Sequence, residues 1–481
     1  MKRTILIITL CSLISFSCED QLELEPISEF TSASFYKTQE DLENAVNASY
    51  ASLQSDGQYG QNFSYLMTVR SDIATVQSLA FSGSIYGDIE SFSLNPLNFI
   101  IEQTWEDIYQ GIQRCNIVLN RIDGVSFDEE LRQIRKGEIK FLRALMYFNA
   151  VRLWGDIPLV LNETEDPLSL ANATRTPVDQ VYEQIILDLQ ESIEALPTHG
   201  QQDTGRASKE AAQVLLAKVY LTLQNYPRVV STLNNVVGSF NLLQNFEDVF
   251  DPSNKNHAES IFDVQFNSSI QGEGSMYANL FAPNNIDGNE LVNGTGRVLG
   301  LNLPTEEFLN SFTSEDARRG ITIDRGATSD VLFQKKYLDP SPIFNPSKFT
   351  NTDCNNNFIV LRYADVLLML AEALNEISYV ANGDAFNYLN QVHQRAGLEA
   401  YTNSDLPDKE RFREAVLAER AFELSFENHR WFDLLRTGNA LEVMNNHTSF
   451  HGQFNVSDFQ LLYPIPQSQI DAGSIDQNPG Y

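Results

Sequence analysis

Apolar residues recur every three or four positions over much of the chain, which is the pattern of amphipathic α-helices. The clearest case runs from Thr176 to Leu196, where Thr176 is suited to cap the helix and Pro177 to its first turn. Pro197 then stops it. The same pattern predicts helices at residues 138–154, 208–225, 361–377, 384–395 and 409–424. The chain is therefore expected to be predominantly α-helical.

Alanines occupy many facing positions of these helices, and small side chains allow helix axes to approach closely. Such alanines are Ala211, Ala212, Ala217, Ala364, Ala371 and Ala373. Residues 215–221 look like the first half of a tetratricopeptide repeat, although no strict 34-residue period is present. We therefore expect stacked helix hairpins built from degenerate repeats.

Two stretches interrupt the helical pattern, at residues 56–98 and 267–300. Both are rich in Ser, Gly, Asp or Asn and show little amphipathic order. Long irregular loops on a rigid frame commonly carry binding sites. These two stretches are therefore the first places to look for ligand contacts.

The N-terminus has the features of a cleavable lipoprotein signal. Lys2 and Arg3 precede an apolar run over residues 5–14, and the small Ser17 precedes Cys18. Leu10 precedes Cys11, which therefore does not qualify. We predict a signal peptide at residues 1–17, lipidation of Cys18, and an acidic tether over residues 18–35. An ordinary secretory signal is the alternative, and it also takes the protein out of the cytoplasm.

The composition is strongly acidic, with 64 Asp and Glu against 33 Lys and Arg and a formal net charge of −31. Such a surface repels phosphate backbones, so we do not expect nucleic acid to be a partner. Two cysteines remain once Cys11 is removed with the signal and Cys18 is lipidated, and they do not make a disulfide framework. Cys115 is expected to be a buried apolar residue, Cys354 lies in a polar run, and their pairing stays open.

A series of short motifs, found in order along nearly the whole mature chain, resembles the SusD/RagB family of surface lipoproteins of Bacteroidota nutrient-uptake systems. Each fragment is weakly specific, and their number and order carry the resemblance. They are Cys18-Glu19-Asp20, residues 105–109 with Cys115-Asn116, residues 141–144 and 154–160, 205–208, 259–262, 361–365 with 371–373, Arg395-Ala396-Gly397, Glu419-Arg420, residues 430–434 and residues 477–481.

The resemblance implies an all-α fold, a scaffold of four degenerate tetratricopeptide-like hairpins with long irregular ligand-binding loops. It implies one SusD-like domain over residues 36–481, with an N-terminal part at 36–240 and a C-terminal part at 241–481. Family members bind oligosaccharides or sometimes peptides, and they sit as a lid over a SusC-type TonB-dependent transporter in the outer membrane. They are not enzymes, and no cofactor is expected.

Several charged residues lie within apolar helical segments, and carboxylates among arginines at helical spacing usually form ion pairs between helices. We therefore interpret them as structural and expect them to join one helix hairpin to the next. They are Asp365, Glu372, Glu419, Arg420, Arg430, Asp433 and Arg436.

Sugar rings stack on aromatic side chains, and sugar hydroxyls need amides, carboxylates or guanidinium groups as partners. Trp105, Trp154 and Trp431 fall within helical motifs and are predicted to lie in the core. A binding platform must therefore use Tyr and Phe from the irregular stretches. The candidate ligand-binding residues are Tyr65, Arg70, Asp72, Phe81, Tyr86, Tyr277, Phe281, Asn284 and Asn285.

No catalytic or metal motif is recognisable. His447 and His451 stand four residues apart without the glutamate of a zinc-protease helix. We predict a non-catalytic protein that binds an extracellular oligosaccharide and delivers it to a SusC-type transporter. The alternatives are a peptide-binding member of the family, a structural subunit of the transporter that holds no ligand, and a surface glycoside hydrolase.

Overall fold

The computed structural model describes residues 36–76, 85–166, 173–270, 272–285, 287, 298–339, 354–449, 452–453, 455–473 and 475–481. About 53% of the described residues are helical and 6% are in strands, so the predicted all-α class is confirmed. The described helices and strands lie within residues 36–481.

The described part of the chain contains sixteen α-helices of four residues or more, numbered in chain order. They are α1 (Gln39–Ala51), α2 (Gly87–Glu90), α3 (Phe99–Arg121), α4 (Glu129–Trp154), α5 (Val178–Ala195), α6 (Lys209–Thr222), α7 (Tyr226–Leu233), α8 (Tyr277–Phe281), α9 (Glu306–Ser311), α10 (Arg318–Thr322), α11 (Tyr363–Ile377), α12 (Asp384–Arg395), α13 (Lys409–Glu423), α14 (Arg430–Arg436), α15 (Ala440–Asn446) and α16 (Gln467–Ala472).

The long helices pack in sequence, each against the next. Helix α4 packs against α3 and α5, α5 packs against α6, and α6 packs against α7. Helix α7 then contacts α11, which also packs against α12 and α13. This is the array of stacked helix hairpins that the alanine-rich faces predict.

Close helix approach is clearest at Gly111 of α3. A Cβ atom at this position would lie 2.6 Å from the Met146 sulfur on α4 and 2.9 Å from Ser52 Oγ. Glycine therefore permits α3 to lie against both neighbours.

The strands are short and form four antiparallel pairs within the described residues. The longest pair joins β2 (Ser260–Val264) to β6 (Phe358–Arg362), and both strands are fully buried. The other strands are β1 (Ala74–Thr75) with β3 (Leu303–Pro304), β4 (Ile323–Arg325) with β5 (Leu332–Gln334), and β7 (Thr448–Ser449) with β8 (Gly452–Gln453).

The predicted helices are present, with informative differences at their ends. Ser208 caps α6 as predicted, because its side chain accepts a hydrogen bond from the Ala211 N–H at 3.2 Å. Thr176 does not cap α5. It pairs with Ile157 in a short β-bridge, and the Asp156 carboxylate instead accepts the Val178 N–H at 2.9 Å. Leu361 and Arg362 belong to β6, so α11 begins two residues later than predicted.

The first irregular stretch is more ordered than its composition suggests. Residues 56–60, 62–64 and 65–69 form consecutive helical turns, and nearly all of their side chains are buried. The expectation of a loop at this point is therefore wrong. These turns pack against α3, where the Asp107 carboxylate accepts the Gly57 N–H at 2.7 Å.

The core contains all three tryptophans, as predicted: Trp105, Trp154 and Trp431 are at most 3% exposed. Cys115 is also buried, and burial raises the pKa of its thiol to about 12. Cys354 is buried beside Ser275, with which its backbone forms a β-bridge. Among the described residues, no helix is both long and apolar enough to cross a membrane.

The ion pairs predicted between helices are present. The Arg420 guanidinium of α13 lies 2.7 Å from Asp365 of α11 and 2.9 Å from Asp433 of α14. Arg436 of α14 reaches Glu372 of α11 through Nη2 and Oε2 at 2.8 Å. These contacts join α11, α13 and α14, which is the structural role expected for the charged residues of these helices.

Candidate functional site

The two irregular stretches meet in the interior. The Tyr277 hydroxyl at the start of α8 donates to the Tyr59 carbonyl at 2.7 Å, and the Ser64 hydroxyl lies 3.4 Å from it. The Tyr277 ring stacks on Phe358 of β6, with centroids 5.3 Å apart. The sequence therefore identified two segments that are neighbours, but their contact is made by buried side chains.

Three of the aromatic candidates offer no surface for stacking in this arrangement. Tyr65, Tyr277 and Phe281 are at most 1% exposed. Burial raises the pKa of the Tyr277 hydroxyl above its ordinary value. Their positions assign these rings to packing between the two stretches.

Arg70 is also buried, inside a cage of aromatic rings. Its guanidinium carbon lies 4.3 Å from the Phe92 ring centre, 4.2 Å from that of Tyr463 and 5.3 Å from that of Trp431. One guanidinium nitrogen donates to the Gln460 carbonyl. Arg70 therefore attaches the C-terminal segment to the first irregular stretch through cation–π contacts and a hydrogen bond.

Four candidates reach the surface. Tyr86 is half-buried, with its ring edge against Tyr65 at a centroid distance of 5.0 Å. Asn284 is exposed, and Asn285 donates to the Ser329 hydroxyl at 2.9 Å. The fourth is Asp72, whose side chain is 19% exposed. Phe81 and the predicted lipidation site, Cys18, lie outside the described residues.

Asp72 is held by a bidentate ion pair with Arg430 at the start of α14. Nε of Arg430 lies 2.8 Å from one Asp72 oxygen, and Nη2 lies 2.7 Å from the other. Both side chains remain partly exposed, at 15% for Arg430 and 19% for Asp72. Planar, paired contacts of this kind fix both groups in position.

Thr305 fixes the backbone beside Asp72. Strand β1 pairs with β3, and the Thr305 N–H that follows β3 donates to the Ile73 carbonyl at 3.1 Å. The Thr305 hydroxyl donates to the Asp72 carbonyl at 2.9 Å and also caps α9 by accepting the Phe308 N–H at 3.2 Å. One threonine therefore couples the position of Asp72 to that of α9.

A groove of about 370 Å³ opens beside the Asp72–Arg430 pair. We call it the α9–α13 groove, because these two helices form its walls and α14 forms its base. Its apolar side includes Phe308, Leu417, Ala418 and Phe422. Its volume is within the usual range of small-molecule sites.

The sequence did not point to this groove. Neither Phe422 nor Asn439 is a candidate from the sequence, and the interpretation of Arg430 is structural. The three residues lie on α13, on α14 and in the turn before α15, and only the packing of these elements against α9 brings them to one surface. Asp72 is the single sequence-predicted residue in the groove.

The described residues contain no group of three His, Cys, Asp or Glu side chains suited to hold a metal ion. At the base of the groove, burial alone would raise the pKa of Asp433, but Arg420 and Arg436 outweigh it and hold the pKa well below its usual range. Asp433 is therefore ionised and unsuited to donate a proton as a general acid.

Comparisons with known proteins match both the N-terminal and the C-terminal part of the chain to SusD-like proteins. Two family models match it, one described as "SusD family" over residues 262–481 and one as "Starch-binding associating with outer membrane" over residues 20–221. SusD-like protein P25 of Formosa agariphila is 30% identical, with 96% of this chain and 95% of the relative covered. The starch-binding protein SusD of Bacteroides thetaiotaomicron is 23% identical, with 97% and 96% covered.

Solved structures show the same architecture. A laminarin-binding SusD-like protein has a TM-score of 0.80 at 26% identity, covering 93% of this chain and all of that chain. Surface glycan-binding protein A from Bacteroides thetaiotaomicron, in complex with laminarihexaose, has a TM-score of 0.78 at 23% identity, covering 92% of this chain and all of that chain.

The helix-hairpin array with short strand pairs defines a SusD-like scaffold, and its stacked helices match those of solved SusD-like proteins. On the family models and the relatives together, this chain belongs to the SusD family.

Proposed function

We propose that this chain is a non-catalytic glycan-binding protein of the outer membrane that captures an extracellular oligosaccharide. The observation that carries the proposal is the likeness, over 93% of the chain, to a structure described as a laminarin-binding SusD-like protein. The family model described as starch-binding and associating with the outer membrane supports the same role and location.

The charge of the protein favours neutral glycans over anionic ones. The formal net charge is −31, and screening limits the reach of surface charge to about 10 Å at moderate salt. A uronic or sulfated chain therefore meets repulsion wherever the local surface has the average charge.

The lipid anchor and the transporter complete the proposed mechanism. Lipidation of Cys18, followed by the acidic tether at residues 18–35, would hold the binding domain at the extracellular face of the outer membrane. A SusC-type TonB-dependent transporter beneath it would receive the ligand. Tethering raises the effective concentration of captured ligand at the transporter, so a modest affinity with fast release is sufficient.

Isothermal titration of a chain beginning at Glu19 tests the binding role. The panel contains neutral, uronic and sulfated oligosaccharides together with peptides. Heat of binding with a neutral glycan supports the proposal. Binding of peptides alone supports the peptide-binding alternative, and no binding with altered glycan uptake on gene deletion supports a structural subunit. Release of reducing sugar from any of these glycans contradicts the non-catalytic role.

A further inference from the structure

The α9–α13 groove has an apolar side that is fixed from behind. The Phe422 ring packs on the Phe312 ring, with centroids 4.6 Å apart. It also stacks on the Phe308 ring, with an angle of 21° between the ring planes and centroids 6.2 Å apart. Phe308 and Phe312 belong to a buried cluster that also contains Ile73. Phe422 is only partly buried, and it lines the groove. The groove therefore presents an aromatic surface that does not have to rearrange when a ligand arrives.

The groove is also lined by polar side chains that retain unused hydrogen-bond donors. Arg430 contacts Asp72 through Nε and Nη2, and Nη1 has no hydrogen-bond partner among the described residues. The side-chain amide of Asn439 is likewise without a partner in the part of the chain that the structure describes. Because Asp72 holds the guanidinium in place, Arg430 Nη1 is positioned in advance.

The charges around the groove argue against an anionic ligand. Arg430 is neutralised by Asp72, and the groove is also lined by Glu307, Glu414 and Asp433. Glu307 contacts the His447 ring nitrogen at 2.7 Å, and Glu414 contacts Arg411 at 2.7 Å. No cation lining the groove in the described structure lacks a carboxylate partner, so a carboxylate or sulfate ligand would gain no new ion pair there.

We propose that the α9–α13 groove binds a neutral saccharide, with Phe422 packing against the apolar face of a sugar ring and the Asp72–Arg430 pair hydrogen bonding to its hydroxyls. Arg430 Nη1 and the Asn439 amide donate, and the Asp72 carboxylate accepts. An aromatic surface with donor and acceptor groups beside it matches the apolar C–H face and the hydroxyl-bearing edge of a pyranose ring. The inference rests on the proposed glycan-binding function and names the place and the class of ligand.

The test is titration of the chain beginning at Glu19 with laminarihexaose, maltohexaose and cellohexaose as neutral probes. Hexagalacturonate serves as the anionic probe of equal length. We expect at least one neutral hexasaccharide to bind, with at least tenfold higher affinity than hexagalacturonate.

Substitutions in the groove then locate the site. Ala418 is exposed on the groove wall, so Ala418→Arg fills the groove without touching the core and is expected to abolish binding. Arg430→Gln and Phe422→Leu are each expected to weaken binding about tenfold. Asn439→Ala removes an amide that supports no other contact, and it is expected to weaken binding several-fold with an unchanged unfolding midpoint.

Matched controls lie elsewhere. Tyr388 on α12 is a partly buried aromatic residue outside the groove, and Arg121 on α3 is a partly exposed arginine in an ion pair with Glu163, outside the groove lining. Tyr388→Ala and Arg121→Gln are expected to bind like the unchanged protein.

Each remaining outcome decides against a specific claim. If a neutral glycan binds but Ala418→Arg and Asn439→Ala retain full affinity, the groove is not the site, while the proposed function stands. If hexagalacturonate binds more tightly than the neutral probes and Ala418→Arg abolishes this, the ligand class is wrong. If no glycan of the wider neutral, uronic and sulfated panel binds, the proposed function fails and the groove inference fails with it.

Discussion

Arg362 and Glu427 form a bidentate ion pair in the protein interior, with Nε to Oε2 at 2.6 Å and Nη2 to Oε1 at 2.9 Å. Neither side chain is more than 1% exposed. Arg362 lies at the end of β6, and its guanidinium also contacts Glu259 and Glu423. One arginine therefore contacts carboxylates from the turn before β2, from α13 and from the loop after α13, and Arg395, Arg318 and Lys336 supply further positive charge to them.

Arg362→Leu should destabilise the fold by about 3–5 kcal/mol, because removal of one partner leaves buried carboxylates with less compensation. Urea unfolding of the two proteins measures the difference. The control is Arg411→Ala in α13, whose ion pair with Glu414 is exposed and should contribute at most about 1 kcal/mol. Equal losses in the two variants would contradict a special role for the buried network.

Stability should fall on mild acidification because of His429. Burial, followed by the nearby Lys218 ammonium, lowers the pKa of His429 to about 3. In the unfolded chain the pKa of histidine is about 6.5. Below this pH the unfolded state therefore binds a proton at His429, whereas the folded state leaves the ring neutral. The contribution of the neutral His429 to the free energy of unfolding is fully present above pH 6.5 and is lost progressively as the pH falls toward 3.

Because of His429, the free energy of unfolding is expected to fall by about 2 kcal/mol between pH 6.5 and pH 5. Urea unfolding as a function of pH measures this change. His429→Gln keeps an acceptor for Lys218, whose ammonium lies 2.9 Å from His429 Nδ1, and removes the titrating ring. This variant should show a flatter pH dependence over that interval. His199→Gln on the surface should keep the slope of the unchanged protein, and a common slope for all three proteins would count against the assignment.

Tyr277 is a candidate ligand-binding residue from the sequence but a buried packing residue in the structure. Substituting it therefore distinguishes the two interpretations. Tyr277→Phe loses the hydrogen bond to the Tyr59 carbonyl and should cost about 1–2 kcal/mol of stability. Tyr277→Ala leaves a cavity and should cost about 3–5 kcal/mol. If the ring is purely a packing residue, Tyr277→Phe binds glycan with unchanged affinity in titration. A large loss of glycan affinity at unchanged stability would instead show that Tyr277 takes part in ligand binding.

The helices could be predicted from the sequence because their signals are local. The spacing of apolar residues in α5 and the Ser208 cap of α6 depend on neighbours in the chain alone. The ion pairs of Arg420 were also predictable in kind, since a charge within an apolar helical face has to be compensated wherever it is buried. The partner of Arg430 was not, because Asp72 lies 358 positions away.

Ligand-binding residues are harder to predict from the sequence, because a segment rich in polar residues is not necessarily exposed in the folded protein. Residues 56–69 are rich in polar groups, but these groups find buried partners, as when the Gln58 amide donates to the Ser52 and Asp107 carbonyls. The groove depends on the contact of α9 with α13, and neither helix signals it locally. The order of the family motifs still identified the fold and the protein class.

Gly111→Ala should destabilise the protein by about 1–3 kcal/mol, although alanine is the better helix former. The added Cβ would lie 2.6 Å from the Met146 sulfur, so α3 and α4 would have to move apart or Met146 would have to change rotamer. Thermal unfolding measures the effect. Gly124→Ala is the control, because a Cβ at that position would meet no atom within 4 Å other than those of its chain neighbours. Stabilisation of the Gly111 variant would mean that the α3–α4 contact is looser than described.

Lipidation of Cys18 is tested by comparing Cys18→Ala with Cys11→Ala in cells fed a labelled fatty acid. Both cysteines lie in the N-terminal segment, but only Cys18 follows a small residue. Cys18→Ala should lose the label and release the protein from the outer membrane, because several acyl chains on one residue provide nearly all of the membrane affinity. Cys11→Ala should retain both label and location. If neither substitution changes the label, the anchor is elsewhere, and if no label is ever incorporated, the secretory-signal alternative is correct.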